Sequence, residues 1–449
     1  MSKSKIVLLL IGASVLAACS KGAPPSPSPT SAATPATYTS PVAPTSVHAT
    51  LYTDGNGWEP VIATDPSAPY IYAATTLKDE PCIKSDTCPH WNISFRRSDD
   101  GGATWGEPSW ICPCKDLKWL FDPQLRSDGN GNLYAAFLVG PGYDVLFTRS
   151  SDHGDTWSKP VSLMPVEAPW IDHPWLTVSA DGKDVYVGYS KQRENWITAS
   201  HDSGRTWAKP VPLPQNDDDY YYYQSGTISP DGTAYFLTPL WSGKGEVKTV
   251  QIVRSTNRGK SWKQIKIATT PPPPLALCKH GCGQGWYGTL GGVASDANGD
   301  LVVAYNGTGP DATEGEQIWI TTSSDQGNTW SAPQAISPSG NVIAAFPAVA
   351  GTGDGDFRVL WTDDRHGADT QTNWNMYVST SSDGGVTWSE GTDISDGSGY
   401  KYQTPEGFDF FYGDYGDIQI TSEGKTAAIW AEGVGHSGPG TTWTWVGAP

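Results

Sequence analysis

Residues 150–157 read SSDHGDTW, and nearly the same eight letters return along the chain. The copies are SDDGGATW (98–105), SSDHGDTW (150–157), SHDSGRTW (200–207), STNRGKSW (255–262), SSDQGNTW (323–330) and SSDGGVTW (381–388). In SSDHGDTW we expect Asp152 to accept backbone N–H groups in a hairpin turn, and Gly154 to adopt a positive φ. Trp157 is expected to anchor the turn in apolar packing. The pattern therefore predicts a repeated β-hairpin fold.

The spacing of the copies predicts the architecture. Their Asp or Asn positions (100, 152, 202, 257, 325 and 383) are 50 to 68 residues apart, which suits a four-stranded propeller blade with loop insertions. Seven turns between first and second strands are recognised, at 64–69, 127–132, 179–183, 229–233, 295–300, 351–356 and 421–425. We therefore predict an all-β propeller of seven blades, in which SVHATLY (46–52) supplies the last outer strand. Six blades, with the terminal segment packed outside, is the alternative.

The repeat resembles the Asp box, or BNR repeat, of the sialidase superfamily of β-propellers. The resemblance implies that the boxes serve folding and that the functional site lies on the opposite face. Sialidases carry an Arg-Ile-Pro motif on the first inner strand, and two more Arg on later inner strands bind the substrate carboxylate with it. Here the first inner strand reads EPVIAT, with Glu59 at the Arg position, and Arg126 and Arg358 are predicted to lie in the blade body. The resemblance thus implies a sialidase-like fold without the sialidase Arg triad.

The amino-terminal region reads as an export signal and a tether. Residues 1–18 combine basic, apolar and small residues, and LAAC (16–19) resembles a bacterial lipobox, which implies lipidation of Cys19. Residues 19–45 are rich in Pro, Ser, Ala and Thr and predict an extended tether, followed by the propeller at 46–449. We expect a protein of the bacterial cell envelope that touches the membrane through its lipid anchor only and faces the periplasm or the exterior. Simple secretion, with cleavage elsewhere, is the alternative.

Net charge and cysteine content limit the partners. A formal net charge of −18 argues against nucleic acid as a partner, and we expect a monomer. Six cysteines remain after Cys19 and are disulfide candidates in an exported protein: Cys82, Cys88, Cys112, Cys114, Cys278 and Cys282. Cys278 and Cys282 are close enough in sequence to close a local loop, whereas Cys82 and Cys88 could pair with each other or with the other two. A soft-metal site built from these cysteines and His90 is the alternative.

Polar and aromatic residues recur where the first strand of each blade begins, which in a propeller is one mouth of the central channel. We assign acid and base roles to Asp122 and Asp414, with His173 and Tyr415 as alternatives or helpers. The predicted substrate-binding residues are Glu59, Asp172, Gln224, Tyr287, Arg365 and His366. Each proline that follows such a position is expected to hold the preceding residue extended.

Carboxylates gathered on one axis repel each other, so they either raise the pKa of some members or attract a cation. The first outcome predicts a sialidase-like glycoside hydrolase or a lyase that acts on extracellular glycans, with no cofactor. The second predicts a non-catalytic propeller that binds a glycan, a Ca²⁺ ion or a protein. Two carboxyl groups in an open pocket favour the enzyme, and a fully ligated ion favours the binding protein.

Overall fold

All of the regular structure that the computed structural model describes is β-strand. It describes residues 49–448, except for 54–55, 79–90, 113, 115, 118, 141–142, 165–170, 193, 214–218, 222, 243–247, 272–289, 310–314, 341, 367–371, 396–399, 402, 405–406, 409–414 and 434–439. Over these residues we find no helix with the length and apolar character needed to cross a membrane.

The strands follow one another along the chain as short antiparallel meanders. The first are β1 (Ala49–Thr53), β2 (Asn56–Thr64), β3 (Ile71–Lys78), β4 (Trp91–Ser98), β5 (Ser109–Trp110), β6 (Trp119–Ser127), β7 (Leu133–Gly140), β8 (Asp144–Ser150), β9 (Val161–Ser162), β10 (Ile171–Val178), β11 (Val185–Lys191), β12 (Glu194–Ser200) and β13 (Val211–Pro212). Next come β14 (Asp219–Tyr221), β15 (Ser225–Ile228), β16 (Ala234–Leu237), β17 (Leu240–Ser242), β18 (Lys248–Ser255), β19 (Lys263–Thr270), β20 (Gly291–Ser295), β21 (Leu301–Gly307), β22 (Gln317–Ser323) and β23 (Gln334–Ala335). The last are β24 (Ala344–Thr352), β25 (Asp356–Asp363), β26 (Thr372–Ser381), β27 (Thr392–Asp393), β28 (Tyr400–Lys401), β29 (Gln403–Thr404), β30 (Gly407–Phe408), β31 (Asp417–Ile420), β32 (Thr426–Gly433) and β33 (Gly440–Gly447).

The predicted all-β propeller of four-stranded blades is confirmed, whereas the preferred count of seven blades is wrong, because the structure shows five. Five blades stand as sheets of their own, built on β10–β13, on β15, β16, β18 and β19, on β20–β23, on β24–β27, and on β31–β33 with β1. The other two four-stranded groups, β2–β5 and β6–β9, form one eight-stranded sheet. A single parallel pair between Trp91 and Trp119 joins them. The sequence could not show this merger, because it depends on where two strand ends meet in space.

The first strands of the groups form a closed ring. They contact one another in the order β2, β6, β10, β15, β20, β24 and β31, and β31 returns to β2. The amino-terminal strand β1 pairs with β33 as predicted for SVHATLY, with Leu51 opposite Trp443. Because β33 is thereby covered, the sheet that contains both chain ends has no exposed edge at that point.

The Asp box folds as the sequence predicts. Asp152 accepts the backbone N–H of Thr156 at 2.9 Å, and Gly154 has a φ of 88°. A Cβ atom on Gly154 would overlap the ring of Phe95 in the preceding group. Trp157 packs edge-on against the same ring, with 5.4 Å between ring centroids. Each box therefore fixes the turn and also packs against its neighbouring blade.

Apolar side chains fill the spaces between neighbouring blades. One such core contains Leu138 and Phe147 of the second group together with Leu176 and Val187 of the third, all of them buried. Burial of this kind stabilises the fold by about 1.5–3 kcal/mol for each large apolar side chain. The ring of first strands is therefore held from behind by packed blades, which makes it a rigid frame for the residues at its mouth.

Candidate active site

Four of the first strands carry the same bulge, formed by a residue and the proline that follows it. The pairing of each strand with its neighbour skips Glu59-Pro60, Asp122-Pro123, His173-Pro174 and Phe346-Pro347. Proline has no N–H to give to the ladder, so a bulge is where it is tolerated within a sheet.

The residue before each of these prolines is not extended, so that prediction was wrong. Its φ is 55° at Glu59, 51° at Asp122, 47° at His173 and 55° at Phe346. The bulge supplies the reason, because the residue leaves the ladder and is freed from strand geometry. A positive φ at a residue other than glycine costs about 1–3 kcal/mol, and such positions cluster at functional sites. The repeated bulges therefore mark the mouth of the ring as the candidate site.

Glu59 ties the first two groups together at this mouth. Its side chain is buried at 8% exposure, and its Oε2 accepts the backbone N–H of Asp122 at 2.7 Å. The same oxygen accepts the hydroxyl of Thr76 at 3.0 Å. The carboxylate of Glu59 thus holds the strained Asp122 backbone in place, a role that the sequence did not suggest for a predicted substrate-binding residue.

Asp172 is a carboxyl group at the mouth whose environment favours the protonated form. Burial raises its pKa, and the negative charge of Glu59 raises it further, while His173 and a hydrogen bond with the Asp122 side chain act in the opposite direction. Its Oδ1 accepts the backbone N–H of His173 at 3.0 Å. Burial favours the neutral form of a carboxyl group, and here it outweighs the contacts that favour the charged form. The pair can therefore donate a proton to a bound substrate.

His173 and Tyr415 stand beside this pair. Their ring centroids are 6.2 Å apart, with an angle of 55° between the ring planes. The strand register places Tyr415 two residues before β31, in the position that corresponds to Glu59 on β2. An imidazole and a phenol near a proton-holding carboxyl group provide an acid and a base within one site.

The structure thus brings five predicted site residues to one mouth: Glu59, Asp122, Asp172, His173 and Tyr415. Gln224 precedes β15 and its backbone N–H donates to the carbonyl of Leu237 at 3.0 Å, which fixes the strand rather than the Gln224 side chain. Asp414 and Tyr287 lie outside the described residues. Their predicted roles stay predictions.

An ion pair that the sequence analysis missed spans the ring below the mouth. Arg126 on β6 reaches Asp417 on β31 at 3.2 Å, and its guanidinium lies 5.4 Å from the ring centroid of Trp175 on β10. Asp417 also accepts the backbone N–H of Ile62 on β2. The sequence analysis placed Arg126 in the blade body and did not predict that it pairs with Asp417 across the ring. The available signal was its place on a first strand, four residues after Asp122.

Comparisons with known proteins agree with this architecture. Residues 240–404 match the family model described as BNR repeat-like domain. The matched region thus carries BNR-type repeats within a chain that folds as a β-propeller. This match agrees with the BNR repeat that the sequence pattern predicts. None of the curated proteins matches the chain.

Several solved structures are similar in fold to this chain but share little of its sequence. A polysaccharide lyase described as an ulvan lyase is 14% identical, with a TM-score of 0.54, and the match covers 88% of this chain and 94% of that one. The same lyase bound to a GlcA-Rha3S glycan gives a TM-score of 0.53 with the same identity and coverage. A Hadza microbial sialidase is 14% identical over 79% of this chain and 73% of that one, with a TM-score of 0.48. The likeness to the lyase shows a shared fold.

Arg365 and His366 belong to a cluster within the group built on β24–β27, separate from the five residues named at the mouth. Arg365 binds both carboxylate oxygens of the fully buried Asp363, and its guanidinium stacks 3.7 Å from the ring centroid of Tyr377. His366 lies 3.8 Å from Asp393 at the outer strand β27. All of these partners belong to the group built on β24–β27. Asp363 therefore binds the Nε and Nη2 donors of Arg365, and the predicted contact of Arg365 with a substrate stays a prediction.

Asp364, next to this cluster, is a buried acid with an incompletely satisfied carboxyl group. It is 3% exposed, and its Oδ1 accepts the backbone N–H of Ile343 at 2.8 Å, whereas its Oδ2 has no hydrogen-bond partner. Burial raises the pKa of Asp364 to about 6, and the neighbouring Asp363 contributes to the rise. The folded protein therefore binds a proton here that the unfolded chain releases at lower pH.

We expect Asp364→Asn to weaken the pH dependence of stability. Because the folded pKa is raised, Asp364 makes the free energy of unfolding fall as the pH rises from about 4 to about 6, by up to about 3 kcal/mol. Chemical denaturation at several pH values measures this slope. Asp155→Asn, at an exposed surface aspartate, is the control. An unchanged slope in Asp364→Asn would show that Asp364 has an ordinary pKa.

The structure describes only some of the residues in the predicted metal and disulfide sites. Within the described ranges, no group of three or more His, Cys, Asp or Glu side chains is arranged to hold a metal ion. The calcium ion considered for the mouth stays a prediction. Cys112 and Cys114 form a disulfide with each other, with their Cα atoms 5.1 Å apart. Cys19, Cys82, Cys88, Cys278 and Cys282 lie outside the described residues.

Proposed function

We propose that the protein is a carbohydrate-active enzyme that cleaves glycosidic bonds of an extracellular glycan at the mouth formed by Glu59, Asp122, Asp172, His173 and Tyr415. The observation that carries the proposal is the Asp172 carboxyl group, whose pKa is raised by burial at a mouth that it shares with Glu59, Asp122 and His173. A raised carboxyl pKa is what a general acid needs near neutral pH. The extracellular setting rests on the export signal predicted for residues 1–18.

In the hydrolytic form of this proposal, Asp172 protonates the oxygen of the leaving sugar. Asp122 is the hydrogen-bonding partner of Asp172, and this contact lowers the pKa of Asp172 against the effect of burial. A water beside His173 then attacks the sugar carbon from the other side and gives its proton to the imidazole, while the bond to the leaving oxygen breaks. Where Tyr415 is the nucleophile instead, its phenol proton passes to the imidazole, and a water afterwards releases the sugar from the phenol oxygen. Glu59 does not exchange protons in this scheme, because it is committed to Thr76 and to the backbone of Asp122.

A lyase is the second candidate, favoured by the His173–Tyr415 pair. Elimination on a uronate needs a base that removes the proton next to the sugar carboxylate and an acid that protonates the leaving oxygen. An imidazole and a phenol 6.2 Å apart, centroid to centroid, suit those two roles. The fold shared with a polysaccharide lyase is consistent with this candidate and does not assign the reaction.

Sialic acid is not the substrate that we propose. The four bulges hold Glu59, Asp122, His173 and Phe346, none of which offers the planar fork of donors that an Arg gives to a carboxylate. Arg126 does reach the ring, but its guanidinium is paired with Asp417. These residues therefore suit proton transfer better than the binding of a sialic acid carboxylate.

A screen for product release tests the proposal. The purified protein is incubated with ulvan, polygalacturonate, xylan and chondroitin sulfate, and new reducing ends and unsaturated uronates are measured separately. Hydrolysis releases reducing ends alone, whereas elimination also produces the unsaturated sugar. We expect release from at least one polymer and its loss in Asp122→Asn, with Asp155→Asn unaffected. Equal release by all three proteins would contradict the assignment, as would no release from any glycan tested.

A further inference from the structure

An aromatic surface lies directly beside the acid pair, on the strand that carries Asp122. Trp119, the first residue of β6, is 40% exposed, which is uncommon for a large apolar side chain in a packed propeller. Phe121 follows it on the same face of the strand, since the intervening Leu120 is fully buried on the other face. Trp91 on β4 pairs with Trp119 across the junction of the two groups. We call Trp91, Trp119, Phe121 and Tyr143 the rim aromatic cluster.

Within this cluster, Phe121 is held in place by contacts with two other aromatic rings. Phe121 meets the ring of Trp91 edge-on at 6.3 Å and that of Tyr143 edge-on at 6.3 Å, centroid to centroid. Edge-to-face contacts at these distances are favourable and restrict ring orientation. Phe121 is therefore a fixed support, while Trp119 above it presents its indole to solvent.

A glycine makes room for the indole. Gly140 on β7 pairs with Trp119, and a Cβ atom on it would lie 3.3 Å from Cε3 of Trp119 and 3.7 Å from the Phe121 ring. The first of these distances is tighter than van der Waals contact normally allows. Without a side chain at Gly140, both rings can lie against the end of β7. Gly140 thus leaves room for the Trp119 and Phe121 side chains to pack at the rim.

We propose that Trp119 is the platform of an additional sugar subsite, so that the enzyme binds an internal stretch of a polysaccharide chain rather than a single terminal sugar. Sugar rings present C–H groups on their faces, and these pair with the electron-rich face of an indole. Asp122 is three positions after Trp119 in the chain, so their Cα atoms are at most about 11 Å apart. A sugar stacked on Trp119 therefore lies next to the one whose bond meets the acid pair. This inference rests on the proposed function.

Matched variants of the full chain test the subsite. Trp119→Ala removes the platform, Trp119→Phe keeps an aromatic face, and Val386→Ala removes an exposed apolar side chain from the last Asp box. Binding of ulvan, polygalacturonate, xylan and chondroitin sulfate is measured by calorimetry in the Asp172→Asn background. KM and kcat are measured on short and long oligosaccharides of any polymer that is cleaved.

We expect Trp119→Ala to weaken polymer binding and to raise KM for long chains by about tenfold or more, with little change for the shortest substrate. Trp119→Phe should recover most of this loss, and Val386→Ala should match the parent protein. Weaker binding in Trp119→Ala without product release by any form would support the subsite and contradict the proposed function. Product release with the same KM in Trp119→Ala at every chain length would overturn the subsite alone. No binding of any polymer would overturn it as well.

Discussion

Asp172→Asn is expected to lower product release by about 10²–10⁴-fold while leaving the fold intact. Asparagine has the size of the aspartate and still offers an oxygen to the backbone N–H of His173, which Asp172 bonds at 3.0 Å. It cannot give up a proton, so the general acid is lost. Binding of the polymer should change much less than kcat, because the contact matters in the transition state.

The pH dependence of the activity of Asp172→Asn provides a second test of the general acid. Burial raises the pKa of Asp172, so its carboxyl group stays protonated above the usual range and loses its proton as the pH rises. Activity of the parent protein should therefore fall on the alkaline side, and the residual activity of Asp172→Asn should lack that fall. Asp181→Asn, at an exposed turn aspartate, is the matched control. Full activity in Asp172→Asn would assign the proton donor to another residue.

Arg126→Met is expected to destabilise the folded protein by about 3–5 kcal/mol at neutral pH. The substitution keeps an unbranched apolar stem on Trp175 but removes the charge that faces the buried Asp417. Burial already raises the pKa of Asp417, and Arg126 is the main group that counters this effect. The variant therefore leaves an uncompensated carboxylate where β2, β6 and β31 meet.

Two measurements separate the charge effect from lost packing. Because a protonated Asp417 is neutral, the destabilisation in Arg126→Met should shrink as the pH is lowered. The double variant Arg126→Met with Asp417→Asn should be more stable than Arg126→Met alone at neutral pH. Urea denaturation provides the free energies of unfolding. If the double variant is the less stable of the two and the loss does not depend on pH, the ion pair is not what holds these strands.

The propeller was predictable from the sequence because the Asp box encodes local geometry. Asp152, Gly154 and Thr156 satisfy hydrogen bonds and backbone angles within eight residues, so their pattern can be read without knowledge of the fold. The amino-terminal closing strand was predictable for a related reason, since the hairpin turns outnumber the boxes by one. The merger of two blades through Trp91 and Trp119 was not, because a single parallel pair leaves no periodic signal.

The sequence predicted which residues stand where the first strands begin, but not the environment of each side chain there. The Xaa-Pro pairs marked Glu59, Asp122 and His173, yet the expected extended backbone is replaced by a bulge with positive φ. Whether a carboxylate is a proton donor or a structural brace depends on burial and on partners from other blades. Because burial and partners cannot be read from the sequence, it could not show that Asp172 suits proton donation and that Glu59 serves as a structural brace. Trp119 was overlooked for the same reason, because exposure is a property of the assembled rim.

The central claim is that one glycan chain lies across the acid pair and the adjacent indole. A crystal structure of Asp172→Asn with a long oligosaccharide of a cleaved or bound polymer tests it most directly. We predict a glycosidic oxygen within hydrogen-bonding distance of Asn at position 172 and a sugar ring stacked on Trp119, with His173 and Tyr415 facing the same sugar. An oligosaccharide bound on the Asp-box face, or a mouth whose acid side chains point away from the ligand, would contradict the account.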